Sequence, residues 1–209
     1  MTISASRVLR GLVAVGLVCS VSLAARSRDG RDEWQQPDRV VADLGLKDGS
    51  AIADIGCGGG YFTYRLAKAV GEQGKVYATE ISEKALKPVA DRVKKEGIKS
   101  IEPVLSDPTD TKLKSDSLDA ALICDVLHHV PKDQRPALVK DVVRSLKPGG
   151  HLFIIDWRED AKISYDRDRR IPRKELVQLA TDAGLTLDAE YHYLVNQVFL
   201  RLRKPAETK

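Results

Sequence analysis

The chain has 209 residues, 43% of them hydrophobic and 31% charged, with a formal charge of +4. That length and balance suit one globular domain with a full core. Two of the positive charges belong to Arg7 and Arg10, and the remainder is too small to argue for a nucleic-acid partner. No fixed period recurs, which excludes a repeat architecture.

The N-terminus differs from the rest. Arg7 and Arg10 precede residues 11–25, an uncharged run of 15 residues rich in Leu, Val and Ala. That is short of the roughly 20 residues a spanning helix needs. Ser22, Leu23 and Ala24 put small residues where a signal peptidase reads. Residues 1–24 are therefore expected to be an export signal, with an uncleaved anchor or a buried core helix as alternatives. Of the three cysteines, Cys19 lies in this segment, and Cys57 and Cys124 show neither metal-ligand spacing nor a disulfide framework, so no metal is expected.

Residues 25–36 read as a polar, flexible lead-in, and 37–46 as a short helix. Residues 51–55 form an apolar strand, followed by a glycine cluster. A helix then carries Phe62, Leu66, Ala69 and Val70 at helical spacing. Strands are expected at 75–79, 101–105, 118–124 and 151–157, with helices at 83–95 and 133–146 between them. Residues 147–150, Lys-Pro-Gly-Gly, are a stop-and-turn signal. This alternation predicts βαβ units and a mostly parallel sheet. After a helix at 173–183, strands at 185–193 and 195–203 have almost nothing between them. Parallel neighbours need a long crossover, so this pair must be an antiparallel hairpin.

The chemistry centres on Asp54-Ile55-Gly56-Cys57-Gly58-Gly59-Gly60, between a predicted strand and a predicted helix. Glycines there allow a sharp turn and let a ligand approach bare backbone. A dinucleotide-binding fingerprint needs a small residue where Tyr61 stands. Asp54 would also face a diphosphate, whereas it suits a cation such as an amino group. Glu80 ends the second strand, where a carboxylate can accept both hydrogen bonds of a ribose diol.

Residues 51–67 resemble motif I of the class I S-adenosylmethionine (SAM)-dependent methyltransferases. Residues 146–152 resemble the turn before their fifth strand, and residues 122–130 the strand-four motif of the small-molecule, type 11/25-like branch. The likeness runs from about residue 41 to 203, inside a domain bounded at 37–204 with a tail at 205–209. It implies a Rossmann-like, doubly wound α/β fold: seven strands in the order 3-2-1-4-5-7-6, with strand 7 antiparallel. It also implies SAM as cofactor. Gly56, Gly58 and Gly60 would line the methionine end, Glu80 would hold the ribose, Ile81 would cover one adenine face and Asp107 would take the adenine amino group. Cys124 and Asp125 would lie beside the sulfonium, mainly through backbone carbonyls.

The sulfonium is a good leaving group, so proximity and in-line orientation carry much of the catalysis. A base is needed only if the methyl acceptor must lose a proton. His128, His129 and Asp125 are the candidates; alternatively the histidine pair only shapes its loop. Residues 165–170 are a dense charge run, read as a solvated loop or as a lid whose arginines meet an anionic methyl acceptor. A small-molecule acceptor is expected, with no nucleic acid, and membrane contact only through an uncleaved N-terminal segment. A SAM-binding module without transfer activity and an NAD-dependent oxidoreductase are the competing readings. Tyr61 and the terminal hairpin oppose the second, and the intact Asp54, Gly56, Gly58 and Glu80 oppose the first.

Overall fold

The computed structural model describes residues 30–162 and 167–206. Residues 1–24, expected to be an export signal, Tyr165, Asp166 and the last three tail residues lie outside the described residues. In chain order the elements are α1 (Arg31–Gln35), α2 (Pro37–Asp43), β1 (Ala51–Ile55), α3 (Thr63–Val70), β2 (Lys75–Glu80), α4 (Glu83–Glu96) and β3 (Ile101–Leu105). Then come β4 (Leu118–Cys124), α5 (Arg135–Ser145), β5 (Leu146–Trp157), α6 (Arg173–Asp182), β6 (Thr186–Tyr191) and β7 (Gln197–Arg203). One-turn 3-10 helices stand at Leu127–His129 and Arg167–Arg169.

The seven strands form one sheet in the order β3-β2-β1-β4-β5-β7-β6. Strands β1 to β5 pair in parallel, and β7 runs antiparallel to both β5 and β6. The fold expected from the resemblance and from the terminal hairpin is the fold observed. Alternate residues of each central strand enter opposite cores. Ala53, Ile55, Ala121, Ile123 and Ile154 pack toward α5 and α6. Ile52, Leu122, Phe153 and Ile155 share the other core with Leu66 and Val70 of α3 and Val89 of α4. Burial on both faces is why β4 reads as an almost unbroken apolar run.

Two expectations change. Residues 147–150 do not separate α5 from the fifth strand. Leu146 pairs with Leu118 and His151 with Ala120, so Lys147-Pro148-Gly149-Gly150 is a bulge inside β5. Gly149 takes φ 80°, and a Cβ on Gly150 would stand 2.9 Å from the Lys147 carbonyl oxygen. The lead-in at 25–36 is not flexible from Arg31 onward, because α1 docks on the sheet end. Gln35 of α1 is fully buried and donates to Gln197 at 2.8 Å. Gln36, at φ 45°, makes the corner into α2, where Pro37 is the first residue.

Candidate cofactor and acceptor site

The carboxyl ends of β1, β2, β4 and β5 meet at one edge of the sheet, where open α/β folds place their ligands. A cavity of about 380 Å³ opens there, lined among others by Gly56, Glu80, Ile81, Asp107, Asp125 and His129. Pro108, Val130, Pro131 and Leu138 add apolar wall.

The glycines of the loop do different work. Gly56 lines the cavity at φ 68°, and a Cβ there would stand 2.6 Å from a Val126 methyl. Gly58 has φ 51° and open space at its Cβ position, and its N–H donates to Glu80 Oε2 at 3.0 Å. Gly60 has φ 86°, but its missing side chain makes room for Tyr64 and Val89, which would be 2.8 and 3.0 Å away. Of the three glycines expected at the methionine end, Gly56 alone lines the cavity, and Gly60 serves packing.

Glu80 is fixed by its own turn. Its Oε1 accepts from Ser82 N–H at 3.0 Å, and the Ser82 side chain in turn caps α4. The carboxylate therefore bridges the glycine loop and the start of α4 and faces the cavity between them. Ile81, 60% exposed, forms the lip. Asp107 also reaches the cavity, but its carboxylate pairs with Lys112 Nζ at 2.5 Å.

Asp54 lies behind the loop, buried, and accepts from Thr63 Oγ at 2.6 Å. Burial pushes its pKa up to about 6, against the lowering effect of the Thr63 hydrogen bond and the Arg31 charge. The folded state thus holds this proton more tightly than the unfolded chain, so ionising Asp54 costs stability as pH rises from about 4 to about 6. Asp54→Asn is expected to stabilise the protein at pH 7.5 by up to about 3 kcal/mol and to keep only about 1 kcal/mol of that advantage at pH 4.5. Thermal denaturation of both proteins at the two pH values checks this; an advantage larger at pH 4.5 would be the wrong sign. Cys124 is likewise buried behind the cavity wall, and it and Cys57 are both free thiols.

Asp125 stands at φ 58°, and both its oxygens are engaged. Arg31 Nη2 donates to Oδ2 at 2.9 Å and Gln197 Nε2 to Oδ1 at 2.5 Å. Gln35 closes the circuit, donating to Gln197 Oε1 at 2.8 Å and accepting from Arg31 at 3.3 Å. Burial pushes the Asp125 carboxyl up to about 6, opposed by Arg31 and reinforced by Asp156. Asp125, expected as a candidate base, lines the cavity and also ties α1 to the sheet through Arg31 and Gln197. The Arg31 guanidinium also lies 3.9 Å from the centre of the Tyr61 ring, whose hydroxyl donates to Asp32 at 2.6 Å.

The histidine pair divides. His128 is 2% exposed, with Nδ1 2.7 Å from Asp156 Oδ1, and its backbone N–H reaches Asp156 Oδ2 at 3.3 Å. It does not line the cavity, so its expected place among the catalytic candidates becomes a positioning one. His129 is exposed and lines the cavity; its ring lies 4.0 Å from that of His128, and its Nδ1 is 3.3 Å from Arg169 Nη1. Asp156 is completely buried and also accepts from Trp157 N–H at 2.8 Å. Trp34 of α1 stacks on Trp157 with ring centres 5.2 Å apart. Among the described residues no cluster of His, Cys, Asp or Glu could hold a metal.

Sequence reasoning missed Arg31, Gln35, Gln197 and Thr63. Thr63 opens the helix three residues after Gly60, and its hydroxyl was the available signal. The other three had none, because their partners are remote in the chain.

The residues present fit a cationic nucleoside ligand. Two buried acids raised toward neutrality favour a nearby positive charge, a carboxylate stands at the end of β2, and Gly56 leaves backbone bare. This sheet order is that of the SAM-dependent methyltransferase fold, and SAM is a ligand of this cationic nucleoside kind. A family model described as "Methyltransferase domain" matches residues 52–150. A demethylmenaquinone methyltransferase of Bacillus mycoides is 28% identical over 132 residues, covering 63% of this chain and 54% of the relative. The chain thus spans about half the length of the curated relatives it matches. A SAM-dependent methyltransferase from Aquifex aeolicus superposes with a TM-score of 0.76 at 25% identity, covering 84% of this chain and 93% of that one. A Burkholderia thailandensis 1,6-didemethyltoxoflavin-N1-methyltransferase, solved with that compound and S-adenosylhomocysteine, shares the fold. Its TM-score is 0.64 at 20% identity, over 85% of this chain and 83% of that one.

Proposed function

We propose that this protein transfers a methyl group from SAM to a small-molecule acceptor. The observation that supports this reading is the cavity lined by Glu80, Gly56, Asp125 and His129, in which a carboxylate suited to a ribose diol and an exposed imidazole share one space. The names of the Bacillus and Burkholderia relatives, both acting on small molecules, support the acceptor class.

When bound, SAM supplies a methyl group on a sulfonium. Glu80 accepts hydrogen bonds from the ribose hydroxyls, and Ile81 covers the adenine. Asp107 receives the adenine amino group by sharing its carboxylate with Lys112. Gly56 presents backbone to the methionine moiety, with Asp54 and the Cys124 carbonyl behind it supplying negative potential. His129 orients the acceptor or takes its proton, and the buried His128–Asp156 pair fixes the loop that carries His129.

The test is calorimetric titration with SAM, S-adenosylhomocysteine and NAD. The first two should bind and NAD should not. Because a bound cation favours ionised Asp54 and Asp125, SAM affinity should rise about tenfold from pH 5 to pH 7 and then level off. An affinity that falls over that range, or tight NAD binding, would reject the reading.

A further inference from the structure

The carboxylates that line the cavity are held in different ways. Glu80 accepts from the N–H groups of Gly58 and Ser82, and Asp107 pairs with Lys112 of the same loop. Asp125 pairs with Arg31, which stands on α1, 94 residues earlier in the chain. The Arg31 guanidinium also lies over the Tyr61 ring, 3.9 Å from its centre, and its charge acts on the buried Asp54 and Cys124. One acid in contact, a second behind it and an aromatic face are the surroundings that hold a cation. Arg31 supplies that cation from within the chain. The cavity is closed off at this point: Gly56 and Asp125 line it, whereas Asp54, Gly58 and Tyr61 do not.

Arg31 is an imperfect occupant. Its Nε is buried and meets no acceptor, and its Nη2 is shared between Asp125 at 2.9 Å and Gln35 Oε1 at 3.3 Å. The helix that carries it has little more than one turn, too short to be stable alone. Both ends of α1 depend on the one carboxylate, because Gln197 donates to the other Asp125 oxygen and accepts from Gln35.

Resting on the SAM-binding reading, we propose that Asp125, Asp54 and the Tyr61 face form a subsite for the sulfonium charge, which Arg31 fills until SAM binds. Like charges a few ångströms apart repel, and more strongly where water is excluded, so the subsite holds one cation at a time. A bound sulfonium displaces Arg31 and lifts α1. When the lone pair of an acceptor takes the methyl carbon, the S–C electron pair stays on sulfur. The sulfur becomes a neutral thioether, and the positive charge leaves with the methylated acceptor. Arg31 then returns to Asp125. α1 is thus lifted by the charged cofactor and docked on its neutral product.

Trp34 and Trp157, the two tryptophans of the chain, stack at this contact, and Trp157 is 6% exposed, so tryptophan emission reads the docking of α1. Acrylamide quenching of the full-length protein is measured alone, with saturating SAM and with saturating S-adenosylhomocysteine, which lacks only the methyl group and the sulfur charge. SAM should raise the quenching constant at least twofold, and S-adenosylhomocysteine should leave it unchanged. Arg31→Met keeps bulk against Tyr61 and removes the charge. A subsite that is already filled lowers apparent affinity by the fraction of time it is occupied. By calorimetry at pH 8, Arg31→Met should therefore bind SAM about fivefold more tightly than wild type, with the affinity for S-adenosylhomocysteine little changed. Weaker SAM binding in Arg31→Met would overturn the inference, since Arg31 would then contact the ligand and not compete with it. An equal shift for both ligands would also overturn it, because a helix that merely packs on the site affects them alike. So would equal quenching in the two wild-type complexes, and this comparison decides alone if circular dichroism shows Arg31→Met unfolded. Wild type that binds neither ligand would reject the SAM-binding reading, and the inference with it; wild type that binds both with α1 docked would reject the inference only.

Discussion

Glu80→Ala is expected to weaken SAM binding at least a hundredfold. The carboxylate would accept from both hydroxyls of the ribose, and hydrogen bonds to a charged group contribute about 1.5–3 kcal/mol each. It also ties the Gly58 N–H to the Ser82 N–H, so its loss loosens the glycine loop before any ligand arrives. Glu80→Gln keeps one oxygen to accept and offers an amide group to hydroxyls that need an acceptor, and should fall between the two. Calorimetric titration with S-adenosylhomocysteine, which carries the same ribose, provides the measurement. Unchanged affinity in Glu80→Ala would remove the ribose from the end of β2.

Asp156→Ala is expected to lower stability by about 3–5 kcal/mol, the range seen when one partner of a buried polar pair is removed. For a chain of this size that is a fall of roughly 10 °C in Tm. Three donors converge on this carboxylate: His128 through its ring and its backbone N–H, and the Trp157 N–H. Alanine leaves all of them without that acceptor in a site from which water is excluded. Asp156→Asn, which keeps one carbonyl oxygen, should cost less. A urea titration should show the midpoint falling with the slope unchanged. A loss below 1 kcal/mol would mean that the His128 loop is held by other contacts.

The sheet was legible because its signals are local and repeated. Apolar strands, helical spacing and a hairpin too short for a crossover sufficed for the elements and the antiparallel end, while the strand order came from the resemblance of residues 51–67, 122–130 and 146–152. That Gly56 and Glu80 stand at the cavity was legible for the same reason, each sitting at a fixed offset from a strand end. The Lys147–Gly150 segment was half legible: Pro and Gly announce a turn, but the same residues serve a bulge inside a strand, and the strand pairing that decides it is not local. The circuit at α1 was not legible. Arg31 meets Asp125 across 94 residues and Gln35 meets Gln197 across 162, and a five-residue helix carries no period to betray it. The histidines show the opposite limit. Adjacent in sequence, they are separated by burial, one locked to Asp156 and one facing the cavity, and no pattern of residue types distinguishes them.

A helix as short as α1 has no stability of its own in water, since nucleation alone exceeds what one turn returns. Its shape is on loan from Asp125, Gln197 and the Trp157 ring. Detachment from the sheet end and unravelling are therefore one event, not a rigid swing about a hinge. The amides of Glu33 and Gln36, bonded only within that turn at 3.2 and 3.1 Å, should exchange with solvent deuterium far faster than those of β4. Arg31 belongs to this turn, so every excursion withdraws the cation nearest Asp125 but also admits water to it, and because burial is the larger influence on this carboxyl, opening leaves it readier to ionise. The charge state of Asp125 and the melting of α1 are a single equilibrium.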